Sequence, residues 1–408
     1  MKVGIGYCNK KDAFTSGREV AENAINNGNI DKPDIVFAFC SGTVDHDNFF
    51  GGLQSVVECD VPIIGGSAIG IITNNDLSYE GYPAGAAVVQ SDTLQYRIAV
   101  AGDLNKGEKL AGKKIAAKLL SNTPGVEFLL LFYDSIKKSA TETSPPVLNA
   151  SSPLIEGIEE KLGTSVPIIG AGLVGDYEFT PTKQFCGSYV DSQSVVGIIL
   201  NDDFTSYYRI MHGLTPLDGV YHTITRIKGS VIYELDNTPI VEIIDDIYGN
   251  QEWHTQHPVQ LLALGVNYGK RYGTPDEANY VNRLITGVLL DGEGIGIFEP
   301  DFEEGTEIQF MLRDTREMIE SAKTNSAQLM KQIEADGRKA VFGLYIDCAG
   351  RTASYSNISI EEATEVQNIF NTYNTPLLGF YSGVEIAPLI GKSRGLDWTG
   401  VLMVLAKG

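Results

Sequence analysis

One pattern of apolar runs occurs three times in this chain of 408 residues, and it limits the possible folds more than any other feature. Each copy has a first apolar run, a stretch of helix length, a second apolar run that begins after a proline, and a third apolar run. The prolines are Pro62, Pro167 and Pro376. The spacing differs between the copies, but the order of the signals is the same. Because a repeated order of signals marks a repeated structural unit, we infer that one unit is used three times.

The composition of the runs predicts a parallel βαβ arrangement in each copy. The first runs are residues 35–40, 128–133 and 341–346, and the helical stretches lie near 46–58, 150–163 and 359–374. Short runs rich in Val, Ile and Phe are typical of buried strands, and two such strands joined by a helix run parallel. A proline suits the first position of a strand, because no hydrogen bond of the sheet is lost there.

Further strands are expected after each βαβ segment. The third runs lie at 86–89, 195–200 and 400–405. Leu94–Val100 and Tyr207–Met211 follow the first two of them, which predicts antiparallel meanders. The stretch between the second and third copies is rich in strand signals, for example at 230–235 and 283–290. The expected fold class is therefore mixed α/β, with repeated units of βαβ plus antiparallel strands, in two domains with a strand-rich middle segment.

Charge and cysteine usage narrow the classes of function. Acidic residues outnumber basic ones by 52 to 31, and the net charge of −21 repels nucleic acid and anionic membrane surfaces. The five cysteines are scattered and never form C-x-x-C, which is typical of a reduced compartment. The longest uncharged stretch, Val61–Asn75, is shorter than a membrane helix and contains glycines. We therefore expect a cytoplasmic protein without a nucleic-acid or membrane partner.

Polar and glycine-rich segments follow the predicted parallel strands, at the edge where α/β proteins usually bind ligands. The segments after the first strands are 41–46, 134–135 and 347–351, and those after the second strands are 66–70, 171–176 and 381–385. Glycine-rich loops expose backbone N–H groups that can hold a small anion, but they also permit tight turns. No nucleotide-binding glycine motif is present in the sequence.

Two single residues at these ends have both a functional and a structural interpretation. His46 lies between Asp45 and Asp47, where it is either a ligand-binding imidazole or part of an ordinary helix N-terminus. Cys348 is either a nucleophile or a small packed side chain, and no protease signature surrounds it. A metal site at His254 and His257 lacks a third ligand at a recognised spacing.

Several motifs resemble the FIST family, a sensory module with paired FIST N and FIST C regions. The motifs that resemble FIST N are Gly6–Tyr7, Gly17–Ala21, Pro33–Val36 and Val61–Ser67, and those that resemble FIST C are Cys348–Arg351 and Gly379–Pro388. The last of these, GFYSGVEIAP, is the most specific. Val384 in it stands where the family more often has glycine.

The resemblance implies a cytoplasmic input domain that binds a small ligand, with amino acids proposed, and that signals through a partner such as a kinase or receptor. It places a FIST N domain at about 1–215 and a FIST C domain at about 216–408, and the end at Gly408 suggests a stand-alone member. Some relatives resemble haem-based nitric oxide sensors. No cofactor is predicted, although haem stays an alternative with His46, His212, His222 or His254 as axial ligand.

The leading expectation is one ligand cleft where the glycine-rich ends face each other. Arg351 would bind a ligand carboxylate, with a salt bridge to Glu385 as the structural alternative. Glu385 or Asp347 would accept an ammonium, and Tyr381 would form an aromatic wall. The remaining candidate residues are Ser41, His46, Gly66, Ser67, Cys348 and Ser382. A hydrolase that uses Cys348 is the other alternative.

Overall fold

A computed structural model describes residues 1–120, 126–139, 141, 146–356 and 358–408. Its helices are α1 (Ala13–Gly28), α2 (His46–Gln54), α3 (Glu108–Leu119), α4 (Ser151–Leu162), α5 (Ile240–Tyr248), α6 (Thr315–Ala335) and α7 (Ala363–Thr372). None of these helices has the length and apolarity that crossing a membrane requires.

The strands before residue 202 belong to the first two units. In chain order they are β1 (Lys2–Asn9), β2 (Ile35–Ser41), β3 (Ile63–Ala68), β4 (Ile71–Thr73), β5 (Leu77–Ser78), β6 (Pro83–Gln90), β7 (Gln95–Ala101), β8 (Leu129–Asp134), β9 (Ile136–Lys138), β10 (Val147–Leu148), β11 (Ile168–Leu173), β12 (Gln184–Gly187), β13 (Tyr189–Asp191) and β14 (Val195–Asn201).

The later strands form the third unit and the strand-rich segment within it. They are β15 (Phe204–Met211), β16 (Thr215–Pro216), β17 (His222–Lys228), β18 (Val231–Leu235), β19 (Thr238–Pro239), β20 (Leu262–Asn267), β21 (Tyr280–Val288), β22 (Ile295–Ile297), β23 (Glu307–Leu312), β24 (Lys339–Cys348), β25 (Leu377–Ser382), β26 (Val384–Leu389), β27 (Lys392–Leu396) and β28 (Gly400–Lys407).

Three six-stranded sheets share one strand pattern. Their orders are β1-β6-β2-β3-β12-β13 in sheet 1, β7-β14-β8-β11-β26-β27 in sheet 2, and β15-β28-β24-β25-β4-β5 in sheet 3. The two central strands of each sheet are parallel, and the other described pairs in these sheets are antiparallel. The threefold repeat and the parallel βαβ segments predicted from the sequence are confirmed, and so is the mixed α/β class.

Each unit gives one hairpin to the sheet of another unit. The hairpin β4–β5 of the first unit pairs with β25 in sheet 3, β12–β13 of the second pairs with β3 in sheet 1, and β26–β27 of the third pairs with β11 in sheet 2. The exchange is cyclic. None of the three six-stranded sheets is therefore completed by its own unit alone.

The predicted meanders are wrong. Gln95–Ala101 pairs with β14 of the second unit, and Phe204–Met211 pairs with β28 of the third. Each of these strands begins the next unit, because the chain crosses to a new sheet after the third apolar run. Alternating apolar patterns specify a strand and its buried face, but they do not specify the neighbouring strand.

The strand-rich segment is an insertion within the third unit, between β15 and α6. It forms an eight-stranded sheet that includes β16 to β23 and carries α5. Glu299 of this insertion accepts hydrogen bonds from the backbone N–H groups of Ser151 and Ser152, at the N-terminus of α4 in the second unit. Arg283 pairs with Asp301 and also donates to the carbonyl of Gly395 at 3.0 Å. These buried polar contacts fix the insertion against the second and third units.

The inner faces of the three sheets share one apolar core. Phe39 of β2, Phe132 of β8 and Phe380 of β25 meet at its centre, with ring centroids 3.9 Å apart for Phe39 and Phe380 and 5.3 Å apart for Phe39 and Phe132. Each comes from the first or second parallel strand of a different unit. Pairs of helices cover the outer faces, α1 with α2 and α3 with α4.

Close helix contacts explain part of the glycine content of 44 residues. A Cβ atom on Gly17 of α1 would lie 2.0 Å from the carbonyl oxygen of Phe49 in α2, and one on Gly112 of α3 would lie 2.1 Å from that of Leu154 in α4. The first two units thus use glycine at matching helix crossings. A methyl group at either place forces the helices apart.

We expect Gly112→Ala to lower the free energy of unfolding by about 1–3 kcal/mol, since overpacking of a close contact has costs in that range. The measurement is urea unfolding followed by circular dichroism. Gly102→Ala is the control, because a Cβ atom there meets no atom within 4 Å. Equal unfolding midpoints for the two variants would contradict this account of the helix crossing.

Candidate ligand site beside the strand ends

The carboxyl ends of the parallel strands from all three units meet through backbone hydrogen bonds. The N–H of Gly42 donates to the carbonyl of Gly175 at 2.9 Å, and that of Gly383 donates to Gly172 at 2.9 Å. The N–H of Tyr381 donates to the carbonyl of Gly70 at 3.1 Å. We call this meeting point of the three units the junction.

The expected open cleft between these ends is not present in the part of the chain that the structure describes. A Cβ atom on Gly42 would lie 2.8 Å from the backbone of Gly175, and one on Gly383 would lie 2.8 Å from a methyl group of Val174. The glycines therefore serve close packing between backbones. Their N–H groups donate to neighbouring strand ends, so the expectation that they line a shared cleft is corrected.

The first-unit candidates form a separate cluster on one side of the junction. The Oγ of Ser67 lies 2.8 Å from the Nε2 of His46 and accepts a hydrogen bond from the backbone N–H of Lys183 at 2.9 Å. Burial lowers the pKa of His46 to about 4, so the imidazole is neutral at pH 7. The two side chains satisfy each other and hold α2 to β3.

Ser41 and Gly66 also have local partners. The Oγ of Ser41 lies 3.0 Å from the Oγ1 of Thr43, and Gly66 pairs with Gln184 in sheet 1. Among the described residues, no hydrogen bond or ion pair links Ser41, His46, Gly66 or Ser67 to the third-unit candidates. The structure brings the two sets to the same end of the sheets but not into one site.

Arg351 is fully engaged with protein groups. Its guanidinium donates to both oxygens of Glu362 at 2.8 and 2.6 Å, and to the carbonyls of His212 and Trp398 at 2.9 and 2.7 Å. It also lies 3.3 Å from a carboxylate oxygen of Asp347. The salt bridge considered with Glu385 is thus made with Glu362 and Asp347 instead.

The other third-unit candidates are buried close to Arg351. The Oγ of Ser382 donates to the Oε1 of Glu385 at 2.9 Å, and the hydroxyl of Tyr381 donates to Glu361 at 3.1 Å. Tyr381 packs edge-on against Tyr79 rather than facing an open space. These contacts fix the GFYSGVE segment in place.

A group of buried polar side chains surrounds the thiol of Cys348, and we call it the Cys348 centre. Its members are Cys348, Asp347, Glu385, Asp397 and Arg313. Each of the three carboxyl groups has one buried oxygen without a hydrogen-bond partner in the described structure, namely Oδ2 of Asp347, Oε2 of Glu385 and Oδ1 of Asp397. Buried polar atoms normally have partners, so this centre has unused capacity to accept hydrogen bonds.

Polar atoms of the second unit extend the Cys348 centre. The hydroxyls of Tyr133 and Ser135 are also buried, and they lie close to each other. A Cβ atom on Gly172 would lie 2.2 Å from the Oγ of Ser135 and 2.7 Å from the hydroxyl oxygen of Tyr133. The two hydroxyls therefore lie directly beside the junction.

The environment of the Cys348 centre suppresses negative charge. Burial raises the pKa values of Asp347 and Glu385 well above their usual range, and it raises the pKa of Asp397 to about 7. Burial, followed by the nearby carboxylate of Glu385, also raises the pKa of the Cys348 thiol. An activated nucleophile needs the opposite shift. This geometry gives the hydrolase alternative no support.

Arg313 is the functional candidate that the sequence analysis missed. Its guanidinium donates to the carbonyl of Gly350 at 2.9 Å, to the Oγ of Ser356 at 2.5 Å and to the side-chain oxygen of Gln260 at 3.2 Å. It also stacks on the ring of Trp398 at 4.1 Å. Its Nε is buried without a partner, and no carboxylate forms an ion pair with it among the described residues. Burial lowers its pKa to about 10. The only sequence signal is an arginine directly after the apolar strand β23.

Two tyrosines cover the Cys348 centre. The rings of Tyr177 and Tyr355 stack with centroids 5.4 Å apart and an angle of 7° between their planes. The Tyr177 hydroxyl donates to the carbonyl of Ala349 at 2.9 Å, and 37% of this side chain is exposed. Tyr177 comes from the second unit and Tyr355 from the third. The cover therefore joins two units across the site.

Most of the histidines considered as haem ligands are engaged with protein groups in the described structure. Both imidazole nitrogens of His212 are engaged, one with the carbonyl of Glu277 and one with the N–H of Leu214. His222 pairs with Asp236, and His254 pairs with Asp245. The two described depressions contain neither His nor Cys in their walls.

Comparison with protein families gives a direct match. The FIST N domain matches residues 34–238, and the FIST C domain matches residues 241–388. The chain belongs to the FIST family. FIST domains are sensory domains that bind small ligands in signalling. The FIST C match contains the Cys348 centre except Asp397, and the two matches meet within the inserted sheet.

Comparison with other proteins adds no assignment. No curated protein sequence matches the chain. One similar solved structure is a chorismatase at 8% identity, which aligns over 92% of this chain and 93% of its own chain with a TM-score of 0.35. Another is a cyanuric acid hydrolase from A. caulinodans at 10% identity, which aligns over 100% of this chain and 99% of its own chain with a TM-score of 0.34. A phosphoribosylformylglycinamidine synthase II from Thermotoga maritima aligns at 9% identity over 99% and 71%, with a TM-score of 0.21. Similarity at this level supports no inference about function.

Cys348 should resist alkylation in the folded protein. We expect iodoacetamide to modify the exposed Cys59 first and to reach Cys348 only after unfolding, because burial and the raised pKa remove the thiolate. Peptide mass spectrometry over time gives both rates. Modification of Cys348 in native protein as fast as that of Cys59 would contradict the described environment.

The carboxyl group of Asp397 should make stability fall as the pH rises. Its pKa is about 3.8 in the unfolded chain and about 7 in the fold, so the native state keeps a proton that the unfolded state releases between these values. The free energy of unfolding then decreases with pH in this window, by at most about 1.4 kcal/mol per pH unit.

Asp397→Asn tests this dependence, since an amide oxygen can still accept the N–H of Leu284. We expect wild type to lose more stability than the variant between about pH 5 and pH 7 in urea unfolding. The opposite pH dependence of buried His46 is common to both proteins and cancels in the difference. Parallel curves for the two proteins would refute the shifted pKa of Asp397.

Proposed function

We propose that this protein is a non-enzymatic sensor of a small ligand that carries both a carboxylate and an ammonium group, as amino acids do. The ligand binds at the Cys348 centre, beside the junction. Its carboxylate pairs with Arg313, and its ammonium pairs with Glu385 or Asp347. This assignment keeps the expected ligand chemistry but replaces Arg351 with Arg313.

The observation that carries the proposal is, among the described residues, a buried arginine without a carboxylate partner in the same centre as buried carboxyl oxygens without hydrogen-bond donors. Arg313 is a buried cation without a carboxylate partner among the described residues, and Glu385 and Asp347 each have a buried oxygen without a donor there. Arg313 donates to the carbonyl of Gly350, two residues after Cys348. The Oγ of Ser382 lies within hydrogen-bond distance of both the Glu385 carboxyl group and the carbonyl of Asp347, the residue before Cys348. A zwitterion would supply both missing partners, and its ammonium would favour the ionised form of a carboxyl group whose pKa burial has raised.

Arg351 has a supporting role in this proposal. It neutralises Glu362 and lies close to Asp347, so it holds the loop after β24 in place. Removing it would leave buried carboxylates without their cation, which costs several kcal/mol of stability. Loss of binding in an Arg351 variant would therefore not separate ligand contact from damage to the fold.

The position of the site suggests how ligand binding would change the structure. The Tyr177–Tyr355 cover joins the second and third units, and the inserted sheet supplies Arg313. A ligand that enters must displace the cover and then bridges these parts. We propose that the resulting change is transmitted in the cytoplasm to a separate signalling protein, such as a kinase or a receptor.

A thermal-shift screen of amino acids and small carboxylates tests the proposal with wild type, Arg313→Gln and Glu385→Gln. At one hundred times its dissociation constant, a ligand adds about 2.7 kcal/mol of stability. We expect at least one amino acid to stabilise wild type but neither variant. Arg316→Gln is the matched control, because this neighbouring side chain is exposed.

Two outcomes would contradict the proposed ligand site. One is that no zwitterion stabilises wild type. The other is that a stabilising ligand acts equally on Arg313→Gln, which would place its carboxylate elsewhere. Unfolding midpoints of the unliganded variants, compared with that of Arg316→Gln, show whether a lost response comes from a lost contact or from a damaged fold.

A further inference from the structure

A polar groove of about 610 Å³ lies on the side of the molecule between the first and third units. It runs along the outer edge of β1, and the turn between β4 and β5 and the C-terminus of α7 form its other wall. Its volume is in the range of small-molecule sites. The groove is separate from the Cys348 centre, with which it shares no residue.

The edge of β1 in this groove is blocked for an added strand. The side chain of Asn27 donates to the carbonyl of Ile5 at 2.9 Å, and that of Asn23 donates to the carbonyl of Tyr7 at 3.4 Å. A peptide that extended the sheet would need these carbonyls as acceptors. The groove therefore favours a small ligand over an extended peptide.

The groove walls offer many hydrogen-bonding groups and almost no charge. The lining contains neither lysine nor arginine, and Asp76 is its one acidic residue. The side chains of Asn75 and Asn374, and the hydroxyl of Tyr7, have no hydrogen bond among the described residues. Amide groups present a donor and an acceptor side by side, which matches adjacent hydroxyl groups of a ligand.

The edge of sheet 2 that corresponds to β1 carries larger side chains. β7 has the same place in sheet 2 that β1 has in sheet 1. When the two sheets are matched through their strand pairings, Tyr96 and Arg97 of β7 correspond to Val3 and Gly4 of β1. Arg97 reaches back to the carbonyl of Leu119 across this edge. The first unit has Val3 and Gly4 at these positions. A Cβ atom on Gly4 would lie 1.8 Å from the carbonyl oxygen of Ala24, so this glycine serves the packing of β1 on α1.

We propose that this groove binds a neutral, hydroxyl-rich small molecule of the sugar or polyol class. Hydroxyl groups pair with Asn75, Asn374 and the Tyr7 hydroxyl, and the Tyr7 ring packs against the C–H face of the ligand. An anion finds no cation in the described walls. The site is independent of the amino-acid site proposed above.

Saturation-transfer NMR with the full chain tests this inference, with glucose and myo-inositol as neutral probes and gluconate and glucosamine as charged analogues. We expect transfer to the neutral probes and a dissociation constant about tenfold higher in Asn75→Ala combined with Tyr7→Phe, since each change removes a hydrogen bond. Asn105→Ala is the control, because this exposed residue lies outside the groove.

Absence of transfer to both neutral probes, tighter binding of a charged analogue, or unchanged binding in the double variant would overturn the inference. Unfolding midpoints equal to that of Asn105→Ala show that the double variant is folded. Arg313→Gln should bind the neutral probes like wild type. This result separates failure of the groove from failure of the site at the Cys348 centre.

Discussion

The exchange of hairpins between the three units is the constraint on which the rest of the structure depends. Each six-stranded sheet is completed by β4–β5, β12–β13 or β26–β27 from another unit, and the three sheets share the core around Phe39, Phe132 and Phe380. A unit taken alone would lose two strands of its sheet and one face of its core. The three units are thus expected to fold cooperatively, and the strand ends at the junction are held in place by the same exchange of strands.

Closure of the junction decides where chemistry can take place. Because the strand ends bond to each other through their backbones, the site that we propose lies to the side, where the inserted sheet meets the second and third units. There Arg313 stacks on Trp398 without a counter-ion among the described residues, and the carboxyl groups of the Cys348 centre each have one oxygen without a donor there. A ligand at the proposed site would contact parts of the chain that belong to different units, and such contacts can shift the balance between conformations.

Several features of the fold and part of the site were predictable from local pattern. Short Val-, Ile- and Phe-rich runs with helix-length crossovers predicted the parallel strand pairs, and the motifs around Cys348 and Glu385 predicted the neighbourhood of the Cys348 centre. The role of Arg351 was not predictable, because Glu362, which binds it, lies beyond the 3₁₀ turn in a segment without a motif. Arg313 was missed for a related reason: one arginine after a strand has no signature, and its lack of a counter-ion exists only in three dimensions.

The sequence by itself determined the repeat, the strand and helix types and the family, because hydrophobic periodicity and turn residues act over a few neighbouring positions. Only the tertiary structure decided which strand pairs with which, that residues 215–312 form an insertion within the third unit, and that the glycine-rich ends close on one another. These outcomes depend on contacts between residues far apart in the chain. The packing of whole sheet faces selects which strands pair, and the apolar pattern of a single strand does not specify its partner.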